Sequence, residues 1–215
     1  MSETTADDQQ VDRRRKVSIR TKLLFSSGAL QEATVTAGGI VTILFYNQVL
    51  GVPAALAGTA YLIVSILDAV SDPIIGTVSD RFQSKWGRRH PFMFASALPI
   101  AIGFFCLYQP PSFLGETGLF IWLVCFFALV RLGQTLYLIP HDALGAELTD
   151  DYEERTKIFG FNNVAEMVLS MIVAALLYVV IFPTPEGGTN GLLNEARYII
   201  LATAGSVTIL FSVLL

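Results

Sequence analysis

Charged side chains are scarce in this sequence: Asp, Glu, Lys and Arg make up 15% of its 215 residues, whereas hydrophobic residues make up 53%. This composition excludes an ordinary soluble domain and is typical of a chain that crosses a membrane several times. The net charge of −4 gives no indication of nucleic-acid binding. Cysteines are few as well, and both Cys106 and Cys125 fall inside apolar runs. That position favours packing over a disulfide.

Residues 1–22 lack the apolar core expected of a cleavable secretory signal, because they are polar and rich in charge. This stretch predicts a disordered cytoplasmic leader. Six apolar runs follow it, separated by short connectors. They cover about residues 23–50, 53–79, 91–109, 118–140, 158–182 and 196–215. Because each run is long enough to cross a bilayer as a helix, we expect an all-α membrane protein built as a six-span bundle.

The basic residues predict how the bundle is oriented. Six of the 14 lie in the leader, four lie between residues 81 and 89, and Arg155 and Lys157 lie before the fifth run. The opposite connectors contain only Arg197. Positively charged segments next to membrane spans stay in the cytoplasm. We therefore expect a multi-pass protein of the plasma membrane or the bacterial inner membrane, with its N-terminus in the cytoplasm.

Two acidic residues, Asp68 and Asp72, interrupt the second apolar run. Four residues apart, they share one face of a helix. Two carboxylates roughly 6 Å apart in a poorly solvated place cannot both stay ionised unless a proton, a metal cation or a basic side chain compensates them. The pair predicts a cation site. Asp68 and Asp72 would be the metal ligands if the ion is Na⁺, and carboxylates serve H⁺ equally well.

Three further runs contribute an ionisable residue at a similar depth: Glu32, Arg131 and Glu166. At ~1.5 Å of rise per residue, each lies near the middle of a ~30 Å hydrocarbon layer. Acids gathered around one arginine predict a polar cavity between the helices that binds a solute and a cation. The alternative is a structural ion pair between Arg131 and one of the acids.

The segment LDAVSDPIIGTVSDRFQSKWGRRHP, residues 67–91, contains a longer signature. Its GxxxDR followed by GRR resembles the loop motif of the major facilitator superfamily. Its DxxxDP and WGRR resemble the glycoside-pentoside-hexuronide:cation symporters of that superfamily. The segment IPHDALGAELTDDYEERTKIFGF, residues 139–161, is similar to that family's connector between the fourth and fifth spans. The resemblance covers nearly the whole chain after the leader and implies the amino-terminal half of a major facilitator fold.

The resemblance implies cation-coupled symport of a sugar or glycoside by alternating access, with Na⁺ or H⁺ as coupling ion and no other cofactor. It assigns the coupling ion to Asp68 and Asp72. The family's fourth-span acid falls on Leu138 and its fifth-span arginine falls near Asn163, so we expect other polar residues of this chain to replace them. The expected substrate contacts are Glu32, Arg131, Asn163 and Glu166.

The cytoplasmic end of the second run predicts a gate. Asp80, at the end of a helix, can pair with a nearby arginine, and Gly76 permits close helix approach. A contact of this kind latches one state of an alternating-access cycle. The expected gating residues are Gly76, Asp80, Arg81, Gly87, Arg88, Arg89, Glu147 and Arg155. The alternative is that these charges belong to a solvated, positive-inside loop.

Other functions remain open at this point. A membrane prenyltransferase also uses DxxxD acids with Mg²⁺, but it needs a second acidic motif facing the first, and the only other acidic cluster is in a predicted loop at residues 150–154. A symporter of a non-sugar amphiphile is a further possibility. In a non-transporting scaffold, the mid-membrane charges would have no explanation. Because the polar layer would otherwise face lipid, we expect a second six-span half encoded beyond Leu215, or a second copy of this chain.

Overall fold

Six long helices make up most of the chain in a computed structural model, which describes residues 17–85, 87–183 and 191–214. In chain order they are α1 (Ile19–Val49), α2 (Ala54–Arg81), α3 (His90–Leu107), α4 (Glu116–Glu147), α5 (Tyr152–Ile181) and α6 (Glu195–Leu214). Each is long and apolar enough to cross a membrane. Helices suit that environment because their backbone hydrogen bonds are made internally. The prediction of an all-α, six-span bundle is confirmed.

Three helix boundaries differ clearly from the predicted ones. The fifth helix begins at Tyr152 and not near residue 158. The first helix begins at Ile19, where the Ser18 side chain caps it by accepting a hydrogen bond from Thr21 N at 3.1 Å. Residues 19–22, expected in the leader, are therefore helical, and residues 1–16 lie outside the described part. The fourth helix continues through Pro140 to Glu147. A proline inside a membrane helix is tolerated when neighbouring groups satisfy the freed backbone.

The order of the helices in space differs from their order in the chain. Helix α3 packs between α4 and α6, α2 packs against α4, and α1 packs against both α6 and α5. Helices α2 and α5 are therefore the outer members. In the 18-residue apolar stretch of each helix, only 17% of the residues of α2 and 6% of those of α5 are buried. Both helices keep broad faces uncovered by the rest of the described chain.

An aromatic cluster joins the carboxyl ends of α1 and α3 to the start of α6. The Tyr108 ring lies 5.8 Å from Phe45 and 5.9 Å from Tyr198, measured between ring centroids. Its buried hydroxyl donates to the Gly38 carbonyl at 2.8 Å and lies 2.7 Å from the Thr42 hydroxyl. A buried tyrosine is favourable when its hydroxyl has a partner, so this cluster fixes one end of the bundle.

The two cysteines are free thiols, and no disulfide links them. Cys106 is half-buried, whereas Cys125 is exposed on α4. The expectation that both pack inside the protein is therefore wrong for Cys125, because α4 turns that side of its apolar run outward.

Close packing of α3 on α4 depends on two glycines. A Cβ atom added at Gly133 would lie 2.6 Å from Ile100 Cγ1 and 3.0 Å from the Ile100 backbone nitrogen. One added at Gly103 would lie 2.9 Å from Val130 Cγ2. Small residues at such crossings bring helix backbones together, which is a main source of stability between helices in lipid.

We expect Gly133→Ala to destabilise the protein by about 1–3 kcal/mol, since the new methyl group would push against the α3 backbone. Gly58→Ala is the matched control. It also changes a helical glycine, but nothing lies within 4 Å of the added atom, so helix propensity makes it neutral or stabilising. Thermal unfolding of the purified protein measures both. Equal melting temperatures for the two variants would contradict the close α3–α4 contact.

Candidate cation and substrate site

Side-by-side packing of α2 and α4 places the two acids of α2 opposite two polar residues of α4. Arg131 Nε donates to Asp68 Oδ2 at 2.7 Å, and Arg131 Nη2 forms an ion pair with the same oxygen at 2.7 Å. One turn further along, the Thr135 hydroxyl donates to Asp72 Oδ1 at 3.0 Å. Because Asp68 and Asp72 are spaced i, i+4 on α2, as are Arg131 and Thr135 on α4, the two contacts lie side by side, one helical turn apart.

The two carboxylates have different surroundings. The Asp68 side chain is 15% exposed, its charge is balanced by Arg131, and its Oδ1 atom is buried without a hydrogen-bond partner in the described chain. Asp72 is exposed and receives only the neutral Thr135 hydroxyl. Of the two acids, Asp72 is the one whose charge no basic side chain balances within the described residues.

Gln134 holds the arginine from its other side. Arg131 Nη1 donates to Gln134 Oε1 at 3.2 Å, and the Gln134 residue is 4% exposed. Gln134 and Thr135 were not among the residues expected at this site. Their spacing contained a signal, because both are polar residues in an apolar run and follow Arg131 by one helical turn.

A cavity of about 320 Å³ adjoins the Asp68–Arg131 pair and is lined by α1, α2 and α4. Its volume is within the range of small-molecule sites. The Tyr61 and Phe127 rings form one wall, with their centroids 4.4 Å apart, and the Tyr61 hydroxyl donates to the Gly39 carbonyl. Thr36, Ser65 and Gln134 add polar groups. The cavity combines aromatic surface with hydrogen-bonding groups, as a site for a polar organic solute requires.

Glu32 and Glu166 are half-buried on α1 and α5. Glu32 interacts electrostatically with Glu166, Asp142, His141 and Arg131. Neither glutamate forms an ion pair within 4 Å in the part of the chain that the structure describes. They lie around the same polar region as Arg131, but its short contacts go to Asp68 and Gln134.

Asn163, an expected substrate contact, is exposed on α5. The buried amide at this level is its neighbour Asn162, which is 7% exposed and whose Oδ1 atom has no hydrogen-bond partner in the described chain. Within this chain, the structure therefore does not join Asn163 to the Asp68–Arg131 cluster.

At the α2–α3 loop, two arginines converge on one acid. Arg88 and Arg89 donate to Glu147 Oε1 at 3.2 and 3.0 Å, and Arg89 also lies 3.6 Å from Asp80 Oδ1. These contacts connect the loop to the ends of α2 and α4. Gly87 has a φ of +90°, a conformation that favours glycine.

Three of the expected gating residues lie apart from this cluster. Arg155 donates to the Thr149 carbonyl at 3.2 Å, and Arg81 is exposed. The close helix approach expected at Gly76 is absent, because an added Cβ would meet Ile139 Cγ2 at 3.7 Å, an ordinary contact. The approach occurs instead between α3 and α4, at Gly103 and Gly133. Trp86 of the WGRR motif lies outside the described residues.

Within the described residues, no three His, Cys, Asp or Glu side chains come close enough together to hold a metal ion. A cation at Asp68 and Asp72 therefore needs neutral oxygen ligands as well, which hard cations accept readily. The Thr135 hydroxyl is such an oxygen, since it already contacts Asp72.

Comparison with known proteins agrees with this architecture. The family model described as MFS/sugar transport protein matches residues 24–215. An uncharacterized symporter of Synechocystis sp. is 38% identical over 173 residues, which are 77% of this chain and 31% of the relative. The glucuronide carrier protein homolog of Escherichia coli is 25% identical over 163 residues, or 75% of this chain and 36% of the relative.

A third relative, the sodium-dependent lysophosphatidylcholine symporter 1-A of Danio rerio, is 25% identical over 170 residues, or 78% of this chain and 32% of the relative. The chain thus spans about a third of the length of these relatives. The family match covers all six helices except the first residues of α1. This chain is a multi-pass membrane protein that belongs to the MFS/sugar transport protein family, in the glycoside-pentoside-hexuronide:cation symporter group of the major facilitator superfamily.

Proposed function

We propose that this chain is a six-span unit of a symporter that moves a sugar or glycoside together with Na⁺ or H⁺ by alternating access. The observation that carries the proposal is the pair of contacts Asp68–Arg131 and Asp72–Thr135 beside a cavity of small-molecule size. The relatives named as symporters and as a carrier support it. The membrane-enzyme alternative finds no support in the matched family, which is one of transport proteins.

The charges at the site explain how a cation would be coupled. Two carboxylates, Asp68 and Asp72, and one guanidinium, Arg131, leave one net negative charge, which one monovalent cation or proton neutralises. We place this cation at Asp72 and the Thr135 hydroxyl, with Asp68 on its other side. A site without net charge can be closed off from water inside the bilayer at a lower electrostatic cost than a charged site. Cation binding therefore favours the conformational step that transports the substrate.

The cavity between α1, α2 and α4 is the proposed substrate site. The Arg131 side chain is 42% exposed, so its outer edge is free to donate hydrogen bonds to substrate hydroxyls. The rings of Tyr61 and Phe127 offer a surface on which a sugar ring can pack. We propose that Glu32, Glu166 and Asn163 approach the substrate from the α1 and α5 side.

The cluster at the α2–α3 loop is the proposed gate, and it lies on the cytoplasmic side, as does the N-terminus. Asp80, Arg88, Arg89 and Glu147 form its ion pairs, and Gly87 lies in the same loop. Gly76, Arg81 and Arg155 lie apart from these ion pairs, and their part in gating stays a proposal. The uncovered faces of α2 and α5 are the surfaces that a second six-span unit, or a second copy of the chain, would cover. Alternating access then arises from rocking of the two units.

The test uses protein expressed from its complete reading frame and reconstituted in liposomes. We expect an inward gradient of Na⁺ or of H⁺ to drive accumulation of a glycoside or glucuronide, and the added solute to drive uptake of the same cation. If no sugar stimulates cation uptake, the sugar proposal fails. Sodium-driven uptake of a lysophospholipid would then support an amphiphile substrate, and Mg²⁺-dependent diphosphate release would support an enzyme.

A further inference from the structure

Helix α1 changes its hydrogen-bond pattern shortly after its start. Residues Ser26–Gly28 form one turn of 3₁₀ helix between two α-helical stretches. The Ala29 N–H points to the carbonyls of Ser26 and Ser27 and not to that of Phe25, its partner in a regular α-helix. The Phe25 carbonyl accepts instead from His141 Nε2 of α4, at 2.9 Å. A side chain from a neighbouring helix thus replaces one backbone bond.

A second side chain enters α1 at the next turn. The Ser212 hydroxyl of α6 accepts from Gln31 N at 3.1 Å and donates to the Ser27 carbonyl at 2.8 Å. In a regular α-helix the Gln31 N–H would donate directly to the Ser27 carbonyl. Side chains that insert into this pattern are a recognised cause of helix bending, and a 3₁₀ turn inside a long helix is a frequent sign of a hinge.

The segment before the opened turn, Ile19–Phe25, is held by α4 and α5. The Phe25 ring stacks on His141 with centroids 4.1 Å apart, and it packs edge-to-face with Phe159, with centroids 6.0 Å apart. Lys22 forms an ion pair with Glu154 of α5 at 3.0 Å. This short segment is therefore attached to the end of α4 and the start of α5.

The segment after the opened turn has a different environment. It includes Glu32 and the cavity residues Val35, Thr36 and Gly39, and it packs on α6 and the body of α5. At the junction, Gln31 is fully buried, and neither polar atom of its carboxamide has a hydrogen-bond partner in the described chain. An unpaired buried amide is destabilising, so this arrangement leaves room for a better-satisfied second conformation at the junction.

We propose that Ser26–Gly28 is a hinge in α1, held open by His141 and Ser212, about which the segment Ile19–Phe25 moves independently of the cavity-lining part of the helix. When the end of α4 and the start of α5 move, the His141 and Glu154 contacts would carry the segment Ile19–Phe25 with them. Because the hinge absorbs this movement, the part of α1 that lines the cavity would stay in place. The hinge does not depend on the proposed symport, because it rests on contacts between α1 and its neighbouring helices and on no bound solute or cation.

Amide hydrogen exchange of the full protein in lipid nanodiscs tests the hinge. We expect the amides of residues 29–31 to exchange at least roughly tenfold faster than those of residues 37–41 in the same helix, because locally opened backbone exchanges through smaller openings. Equal protection across both stretches would overturn the proposal. The measurement needs no substrate, so a failed transport assay would not affect its outcome.

Two variants test the roles of the inserted side chains. In Ser212→Ala, Gln31 N–H can bond directly to the Ser27 carbonyl, and we expect its exchange to slow roughly fivefold, because this bond lies within α1 and no longer breaks when α6 moves away. His141→Phe keeps a ring against Phe25 and removes the donor, and it should slow exchange at Ala29. Thr203→Ala is the control, since the exposed Thr203 hydroxyl bonds only within α6. If Ala29 and Gln31 exchange at the same rates in both variants as in Thr203→Ala, the inserted side chains do not hold the turn open.

Discussion

Replacing Asp72 by asparagine is expected to abolish cation-driven accumulation of the substrate while substrate exchange across the membrane continues. Asp72 is the carboxylate that no basic side chain balances within the described chain, and Thr135 donates to it at 3.0 Å. The asparagine amide is neutral, so the site no longer needs a cation for neutrality and the two fluxes become independent. Accumulation ratios and counterflow in proteoliposomes measure the two activities separately.

Asp150→Asn is the matched control, because Asp150 is exposed in the connector between α4 and α5. It should accumulate substrate like the original protein. Asp68→Asn should also lose accumulation, and it should lower substrate affinity as well, since it releases Arg131 beside the cavity. Undiminished accumulation in both Asp68→Asn and Asp72→Asn would rule out the cation site.

The second large effect is expected for Arg131→Leu. This change leaves the mostly buried Asp68 carboxylate without a partner, and we expect a loss of about 1–3 kcal/mol in stability together with loss of transport. In the double variant Asp68→Asn/Arg131→Leu, no charge remains uncompensated at this contact, so at least half of the lost stability should return. Thermal unfolding of the purified variants gives the double-mutant cycle.

Arg81→Leu is the control for removal of an arginine, because Arg81 is exposed at the end of α2. Its melting temperature should stay near that of the original protein. If the effects of Asp68→Asn and Arg131→Leu simply add, the contact at 2.7 Å contributes nothing to stability and the ion pair is incidental. If Arg131→Leu also transports normally, Arg131 has no part in the substrate site.

Several properties followed from the sequence without a structure. The six apolar runs predicted six membrane-crossing helices because hydrocarbon permits no unpaired backbone, which leaves an apolar stretch of this length few alternatives to a helix. Spacing along one helix was equally decisive. Asp68 and Asp72, four residues apart, had to share a face of α2. Both inferences depend on local geometry, which the order of the residues determines.

Partners on different helices depended on the tertiary structure. Arg131 had four candidate acids at a similar depth, and only the packing of α2 on α4 gave its short contacts to Asp68 and left Glu32 and Glu166 without an ion pair in the described chain. The same packing revealed Gln134 and Thr135. The close packing of α4 on α3 at Gly133 likewise follows from which helices are neighbours.

The opened turn of α1 shows why sequence alone was insufficient. The stretch Phe25–Gln31 contains no proline that would predict an interruption, and Gly28 by itself is tolerated in a helix. The groups that open it, His141 and Ser212, are 116 and 181 residues distant from their partners in the chain. Residue order determined the helices and the faces of their polar residues. The contacts between those faces were decided by tertiary packing, because a hydrogen bond or an ion pair forms only where folding brings its two groups within about 3 Å.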